Sequence, residues 1–384
     1  MLKSLKRLML GGIASMSKAQ LRQQKQLTRI LLGPKRRKSR KSPASATTTR
    51  PARPSKKPAT ASSAATSLPG KWSTSWFHTT SLDQPLSYQR LGYKLYLPRQ
   101  HKDAPLLVML HGCGQNANDF ALGTRMNLLA GQKGFAVLYP QQALHRHSQR
   151  CWPWYDKSVQ EGGGEVPLIM GAIQKVLAQH GLDPARVYVA GISAGAGMAH
   201  ILALHYPHQI AAVGLHSGPV YGAGNGKLTA LMVMQSGSVH GTSSAMAPAQ
   251  LRLGTALRMP AILIQGHADK VVRPINQHQL VQQFMTLNQL QSSDARPTVL
   301  KRSGRGRKAQ SYQIDDYVVR RKLLLRVCRV SELGHAWSGG DGTIKFHADH
   351  GPDASKLMWD FFARHRRAQP TAPAPRTRKK KPAG

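Results

Sequence analysis

The amino-acid sequence predicts an α/β fold in which a mostly parallel β-sheet is covered by helices on both faces and flanked by disordered basic tails. Three observations predict this class. Short, continuous apolar runs end in turns, as expected of strands that are buried on both faces. Amphipathic helical patterns separate those runs. The chain has 384 residues, of which 41% are hydrophobic, and this is sufficient for a large core between two cation-rich ends.

Net charge is the unusual feature of the composition. The chain carries 55 Lys and Arg against 16 Asp and Glu, a formal charge of +39, which would attract nucleic acid, anionic membrane or an acidic polymer surface. No acidic residue precedes Asp83 or follows Asp360, and a further basic stretch occupies residues 301–310. Residues 1–71 and 368–384 are therefore predicted to be basic and mostly disordered.

The first residues leave three interpretations open. A basic start and a short apolar run weakly resemble a signal peptide, but glycines interrupt the run, and KAQLRQQKQLTRILL after it has the pattern of a basic amphipathic helix. The segment could therefore direct export, anchor the chain to a charged surface, or be a solvated tail. Nowhere does the sequence reach the roughly 18 apolar residues of a transmembrane helix, so no membrane span is predicted.

One α/β domain is predicted from residue 72 to residue 367. In chain order, its strand signals are YKLYLP, PLLVMLHG, FAVLYPQQ, RVYVAGIS, AAVGLHSG, PAILIQGHAD and KLLLRVCRV. The main helical patterns are EVPLIMGAIQKVLAQHG, AGAGMAHILALHY, PINQHQLVQQFMTL and ASKLMWDFFARH. The alternation of the two patterns favours a single parallel sheet over two separate domains.

The stretch GISAGAGMAH contains a candidate nucleophile. Residues 191–195 fit G-x-S-x-G, and they lie between a strand signal and a helical pattern, the setting in which this motif holds a serine on a sharp turn. The glycines would let the strand and the helix approach each other closely. Ser193 would then be the nucleophile, and the backbone amide of Ala194, at the helix start, would face a developing oxyanion.

A serine nucleophile needs a base to take its proton and an acid to orient that base. Asp269 follows the strand signal PAILIQG, and His335 lies on a glycine-flanked loop after the next strand signal. Both positions are at strand ends, where the loops of such sheets build active sites. The order Ser193, Asp269, His335 predicts a catalytic triad. The amide of Cys113, in the bend after VMLHG, is predicted to be the second oxyanion donor, with His111 as a structural residue of that bend.

Six segments of the domain together resemble a known family. LLVMLHGCGQNANDF, GFAVLYPQQ, RCWPWYD, GLDPARVYVAGISAGAGMAHILALHYP, QGHADKVV and GHAWSGG are similar, in that order, to the type 1 polyhydroxyalkanoate depolymerase catalytic domain, over residues 93–362. The resemblance implies an α/β-hydrolase fold and hydrolysis of ester bonds in poly(3-hydroxybutyrate) or its oligomers by Ser193, Asp269 and His335. Feruloyl and acetylxylan esterases are also similar, so either remains an alternative activity.

The resemblance also carries expectations about tryptophans and cysteines. Trp152, Trp154 and Trp337 are candidate substrate-binding residues, and for Trp152 and Trp154 packing in the core is an equal alternative. The spacing of the three cysteines leaves their pairing open, whereas the resemblance implies a disulfide between Cys113 and Cys151. Such a bond would favour an oxidising compartment, and the resemblance implies an extracellular location. Because the first residues are a poor signal peptide, a cytoplasmic or granule-associated protein is the alternative, and in a cytoplasmic protein the thiols would be free.

The expected partners follow from the same features. Serine ester hydrolysis requires no metal or organic cofactor, and the substrate would be an ester polymer or oligomer. Secreted members of the family generally carry a substrate-binding domain after the catalytic domain, where this sequence has a basic tail. The tails could instead contact anionic granule surface, membrane or nucleic acid. A granule- or polyanion-binding protein built on a hydrolase scaffold is the alternative of a different class, and the oligomeric state stays open.

Overall fold

A computed structural model describes residues 69–80, 88–239, 243–254, 258–303 and 310–368 of the chain. The segments predicted to be disordered, 1–71 and 368–384, lie outside these residues except at positions 69–71 and 368. Most of the basic stretch 301–310 also lies outside them. Across the described residues, no helix combines the length and the apolar character needed to cross a membrane.

The described residues form one ten-stranded sheet with the strand order β1-β2-β4-β3-β5-β6-β7-β10-β9-β8. The strands are β1 (Gly70–Thr80), β2 (Tyr88–Pro98), β3 (Leu106–Leu110), β4 (Ala136–Gln141), β5 (Val187–Ile192), β6 (Ala212–His216), β7 (Ala261–Gly266), β8 (Val299–Ser303), β9 (Gln310–Val319) and β10 (Lys322–Val330). The six central strands, from β4 to β10 in this order, are parallel. The outer strands pair antiparallel at both edges.

Nine α-helices are assigned in the described part of the chain. They are α1 (Ala117–Thr124), α2 (Met126–Lys133), α3 (Lys157–Gln160), α4 (Val166–His180), α5 (Ala194–His205), α6 (Lys227–Ser236), α7 (Ser243–Leu253), α8 (Ile275–Asn288) and α9 (Ala354–Phe362). A short 3₁₀-helix, Ser292–Asp294, precedes β8.

Helices cover both faces of the sheet. Successive residues of a strand point to opposite faces, and in the central strands both sets are apolar, so both faces need a covering layer. In β3, Leu106 and Val108 belong to the core cluster that contains residues of α4, α5 and α8. Leu107 and Met109 belong to the other cluster, with residues of α1, α2 and α9. Every residue of β3 is consequently buried, and the predicted α/β class with helices on both faces is confirmed.

All seven predicted strands are present, and the three that the sequence did not indicate lie at the sheet edges. β1 pairs with β2 over its full length, so the sheet begins at Gly70. β8 and β9 extend the opposite edge beyond β10. These strands lack a continuous apolar run because much of their surface faces solvent; β8, for example, has no buried residue.

Candidate active site

Ser193 occupies a sharp turn between the end of β5 and the start of α5. Its φ of 57° and ψ of −123° are strained for a residue with a side chain. A Cβ added to Gly195 would lie 2.0 Å from the carbonyl oxygen of Leu110, and one added to Gly191 would lie 2.4 Å from the carbonyl carbon of Gly195. Glycine at both positions therefore lets the strand and helix pack closely enough to hold Ser193 in this conformation.

Asp269 and His335, 66 residues apart in the chain, are joined by a hydrogen bond of 2.8 Å between His335 Nδ1 and Asp269 Oδ2. Asp269 Oδ1 accepts from the amides of Val271 and Val272 at 2.9 and 3.0 Å, and the Gln265 amide donates to Oδ2 at 3.1 Å. Burial alone would raise the pKa of Asp269, but His335 and the two backbone amides outweigh it and hold the pKa below its usual range. The carboxylate is thus ionised, and it orients His335 with Nε2 away from it.

The three residues lie on loops that follow the carboxyl ends of parallel strands, and these ends are on the same side of the sheet. Ser193 follows β5, Asp269 follows β7 and His335 follows β10. The ends of β5 and β6 pair at Ile192 and His216, and the ends of β7 and β10 pair at Gly266 and Val330. Ser193 Oγ and His335 are not joined by a hydrogen bond among the described residues; such bonds can tighten when a substrate binds.

His216, at the end of β6, connects the serine turn to the histidine loop, and the sequence analysis did not identify it. Its carbonyl accepts from the Ser193 amide at 3.0 Å, and its Nε2 accepts from the Ser338 amide at 3.2 Å. The ring stacks on Trp337 with centroids 5.2 Å apart. Complete burial lowers the pKa of His216 to about 3, so the ring is neutral and its nitrogen can accept. A histidine directly after the buried strand AAVGL was the one sequence signal for this role.

The two predicted oxyanion donors lie on adjoining segments. Gly195 contacts the backbone at the end of β3, and a Cβ on Gly112 would lie 3.4 Å from the carbonyl oxygen of Ile192. The bend after β3 is closed by the Gly112 amide, which donates to the Gln115 side chain at 2.8 Å. Among the described residues, the amides of Cys113 and Ala194 have no hydrogen-bond acceptor. Both are therefore available to a substrate oxygen.

A disulfide joins Cys113 to Cys151, with the two Cα atoms 4.3 Å apart. The bond ties the bend after β3 to the segment that follows β4, and the Gly114 amide reinforces the tie by donating to the carbonyl of Gln149 at 2.7 Å. Cys328 is buried and unpaired. The disulfide therefore restrains the segment that carries one of the two predicted oxyanion donors.

The three candidate substrate-binding tryptophans are buried. Trp152 is fully buried and donates its indole N–H to the carbonyl of His111 at 3.0 Å. Trp337 is also fully buried and donates to Ser355 Oγ at 3.2 Å. Trp154 is 4% exposed and lies against Gly197. Full burial with the N–H paired inside the protein favours core packing for Trp152 and Trp337.

His111 is buried in the bend after β3, and both of its ring nitrogens contact the backbone. Nδ1 lies 2.9 Å from the carbonyl oxygen of Gly112, and Nε2 accepts from the Gln142 amide at 3.2 Å. Burial lowers its pKa to about 4. These contacts suit the structural role expected for His111. In the described residues, no group of three or more His, Cys, Asp and Glu side chains is arranged to hold a metal ion.

Residues 91–310 match the protein family described as "Esterase PHB depolymerase". Among curated proteins, the chain is 32% identical to the poly(3-hydroxyalkanoate) depolymerase C of Paucimonas lemoignei over 202 residues, 51% of this chain and 48% of that protein. It is 31% identical to the feruloyl esterase B of Thermothelomyces thermophilus over 147 residues, 38% of this chain and 48% of that protein. The chain thus spans about half the length of these two relatives.

Among solved structures, the acetyl xylan esterase from Aspergillus awamori superimposes with a TM-score of 0.59 and 19% sequence identity. The match covers 75% of this chain and 99% of that chain. At this identity the likeness concerns the fold, which the two proteins share.

Proposed function

Because the chain belongs to the PHB depolymerase family of esterases, we propose that it hydrolyses carboxylic esters, with poly(3-hydroxybutyrate) or its oligomers as substrate. The observation that carries this proposal is the 2.8 Å hydrogen bond between His335 and the buried Asp269. Both residues follow the carboxyl ends of parallel strands, as does the strained turn of Ser193. An oriented histidine near a serine at a helix start is the arrangement that acyl transfer requires.

The proposed reaction begins with attack of Ser193 Oγ on the ester carbonyl while His335 Nε2 accepts the serine proton. The amides of Cys113 and Ala194 donate hydrogen bonds to the resulting oxyanion. His335, oriented by Asp269, returns the proton to the leaving alcohol, and an acyl-enzyme remains on Ser193. Water then attacks this ester while His335 takes its proton. Collapse of the second tetrahedral intermediate releases the acid as His335 returns the proton to Ser193 Oγ.

An exposed apolar pair on α6, a helix that contacts the loop carrying Asp269, supports a water-insoluble substrate. Leu228 and Met232 are 61% and 55% exposed, and they lie one turn apart on α6. The other end of this helix is tied to the loop after β7, since the Gln235 side chain donates to the carbonyls of Lys270 and Val271 at 3.1 and 3.0 Å. This surface, Leu228 and Met232, could adsorb a polyester chain while an ester bond reaches Ser193.

Covalent labelling tests the nucleophile. A phosphonate that reacts with activated serines should label the wild-type chain at one site, and mass spectrometry should place the label on Ser193. We expect Ser193→Ala to lose both the label and the release of p-nitrophenol from a short-chain ester. Ser158→Ala, at an exposed serine in the first turn of α3 whose backbone amide donates to the Asp156 side chain, is the matched control and should retain both. Equal rates in Ser193→Ala and the wild type would refute the mechanism.

A substrate panel tests the specificity. Soluble hydroxybutyrate oligomers, suspended poly(3-hydroxybutyrate), a methyl ferulate and acetylated xylan distinguish the proposed substrate from those named for the feruloyl and acetylxylan esterase relatives. Leu228→Ser with Met232→Ser should slow hydrolysis of the suspended polymer but leave a soluble ester unaffected, whereas Leu251→Ser, which is 85% exposed on α7, should change neither. Preferential cleavage of ferulate or acetylxylan would replace the polyester with a plant-polymer substrate.

A further inference from the structure

A cationic cleft lies at the amino-terminal ends of the central parallel strands, on the side of the sheet opposite to the candidate active site. It has a volume of about 830 Å³ and includes the residues that precede β6 and β7, the β9–β10 turn and the chain after α9. The candidate triad follows the other ends of β5, β7 and β10. The cleft is therefore a separate feature of the fold, and ester hydrolysis as described above does not use it.

The charge of the cleft is strongly one-sided. Eight Lys and Arg residues line it, with Asp316 as the single carboxylate. Asp316 is already engaged by Arg326, which donates to both of its oxygens at 2.7 and 2.6 Å. Within the described parts of the chain, Arg320, Arg321, Lys322 and Arg364 form no ion pair. At least four cations are thus uncompensated on the cleft walls.

Two partly buried side chains that line the cleft, Arg367 and His365, form no ion pair with a carboxylate of the described residues. The Arg367 guanidinium donates to the carbonyls of Ile210 and Arg258, each at 2.7 Å, and to no carboxylate among the described residues. Burial lowers its pKa to about 10. His365 Nε2 is buried without a hydrogen-bond partner in the same part of the structure. Burial and the neighbouring cations, Arg367 first, lower the His365 pKa to about 4.

An uncompensated, partly buried cation is costly, and a bound anion would relieve that cost. Guanidinium groups present planar pairs of donors that match the oxygens of phosphate. Here they converge from the β9–β10 turn and from the chain after α9 on a cavity within the size range of small-molecule sites, rather than spread over a flat face. This geometry favours a compact anion over a nucleic-acid duplex or the plane of a membrane.

We propose that this cleft binds a compact, multiply charged phosphate group, carried either by a free oligophosphate or by a phosphorylated lipid headgroup. Arg321, Lys322 and Arg364 would contact the phosphate oxygens from the rim, and Arg367 and His365 would face it from below. The basic tails are expected to attract anionic partners, and the cleft would be a second anion-binding region, formed by folded residues.

Calorimetric titration of the full-length chain with tripolyphosphate, at constant ionic strength, tests the proposal. The cleft variant combines Arg321→Gln, Lys322→Gln and Arg364→Gln. The control variant combines Arg99→Gln, Lys102→Gln and Lys227→Gln, which remove the same charge from exposed positions outside the cleft. We expect saturable binding to the wild type, a loss of affinity of about tenfold or more in the cleft variant, and a change of less than about twofold in the control variant.

Unchanged melting temperatures of both variants would establish that they are folded. Vesicles of phosphatidylcholine with and without a phosphatidylinositol bisphosphate distinguish the two sources of phosphate. Cleft-dependent binding of tripolyphosphate alone assigns a soluble ligand, and cleft-dependent binding of the phosphoinositide vesicles as well assigns a headgroup. Absence of saturable binding, or equal weakening in the cleft and control variants, would overturn the proposal. Equal binding of the phosphoinositide vesicles by the wild type and the cleft variant would overturn the assignment of a lipid headgroup to the cleft.

Discussion

Replacement of His216 by phenylalanine tests whether this residue holds the two halves of the candidate active site together. A phenyl ring can keep the stack on Trp337, at a centroid distance of 5.2 Å, but it lacks the nitrogen that accepts from the Ser338 amide at 3.2 Å. A buried N–H without an acceptor costs about 1–3 kcal/mol. We therefore expect His216→Phe to lower the free energy of unfolding by about that amount near neutral pH.

The same substitution should impair catalysis, because Ser338 lies three residues after His335 on the same loop. A displacement of the general base by about 1 Å can reduce the rate by about a hundredfold. We expect kcat for a short-chain ester to fall by about ten- to a hundredfold, with a smaller change in KM. His216 would then be a positioning residue that acts through His335.

The stability deficit of His216→Phe should depend on pH in a defined direction. Burial lowers the pKa of His216 from 6.5 to about 3. The folded state therefore resists protonation, and the corresponding stability is complete above pH 6.5 and is lost as the pH falls toward 3, by about 1.4 kcal/mol per pH unit. Phenylalanine does not titrate, so the deficit of the variant relative to the wild type should shrink as the pH falls below 6.5.

His200→Phe is the matched control. His200 is buried in α5, its ring stacks on Phe284 at 4.8 Å, and burial lowers its pKa to about 3. Among the described residues neither ring nitrogen has a partner. This variant should be as stable as the wild type or more so, with unchanged kcat. Urea unfolding at about pH 7 and about pH 5 measures the stabilities. Equal stability and equal kcat of the two variants would refute the role of His216.

Three further substitutions or treatments test individual parts of the site. Gly195→Ala would place a Cβ 2.0 Å from the carbonyl oxygen of Leu110. Unfolding measurements should therefore show a free energy of unfolding lower by about 1–3 kcal/mol or more. An unchanged free energy of unfolding would contradict the close approach. Reduction of the disulfide between Cys113 and Cys151 should lower stability by about 2–4 kcal/mol. It should also slow ester hydrolysis, because the segment that carries the proposed oxyanion donor, the amide of Cys113, would be released. A reduced protein with unchanged unfolding and rate would contradict this. Asp269→Asn should lower kcat about a thousandfold or more with little change in KM, and near-normal kcat would exclude Asp269 from the triad.

The central fold was predictable because buried parallel strands have a recognisable local pattern. Runs such as PLLVMLHG and RVYVAGIS are short, apolar at consecutive positions and end in a turn, as expected of a strand covered on both faces. β1, β8 and β9 were not predicted because they lie at the sheet edges, where polar and apolar residues alternate irregularly along a strand. α1 and α2 were not predicted either, because both helices are short. They are joined by Arg125 in a left-handed conformation, and apolar periodicity does not reveal such a connection.

The candidate triad could be proposed from the sequence because chain order and strand ends sufficed for it. Ser193 lies in a motif that has a mechanical meaning, and Asp269 and His335 each follow a strand. The tryptophans were less predictable, since whether an indole faces a substrate or the core depends on what packs against it. His216 was missed because its role depends on a hydrogen bond to Ser338, 122 residues further along the chain.

By itself, the sequence determined what local patterns can encode: the α/β class, the central strands, the strained serine turn and the basic character of the chain. Only the tertiary structure decided which distant residues meet. The pairing of β7 with β10 brings Asp269 to His335, and the antiparallel β9–β10 turn brings Arg321 and Lys322 to the cleft beside the chain that follows α9. The physical reason is that apolar periodicity and turn propensity act over a few residues, whereas these contacts arise from the order and register of strands that are far apart in the chain.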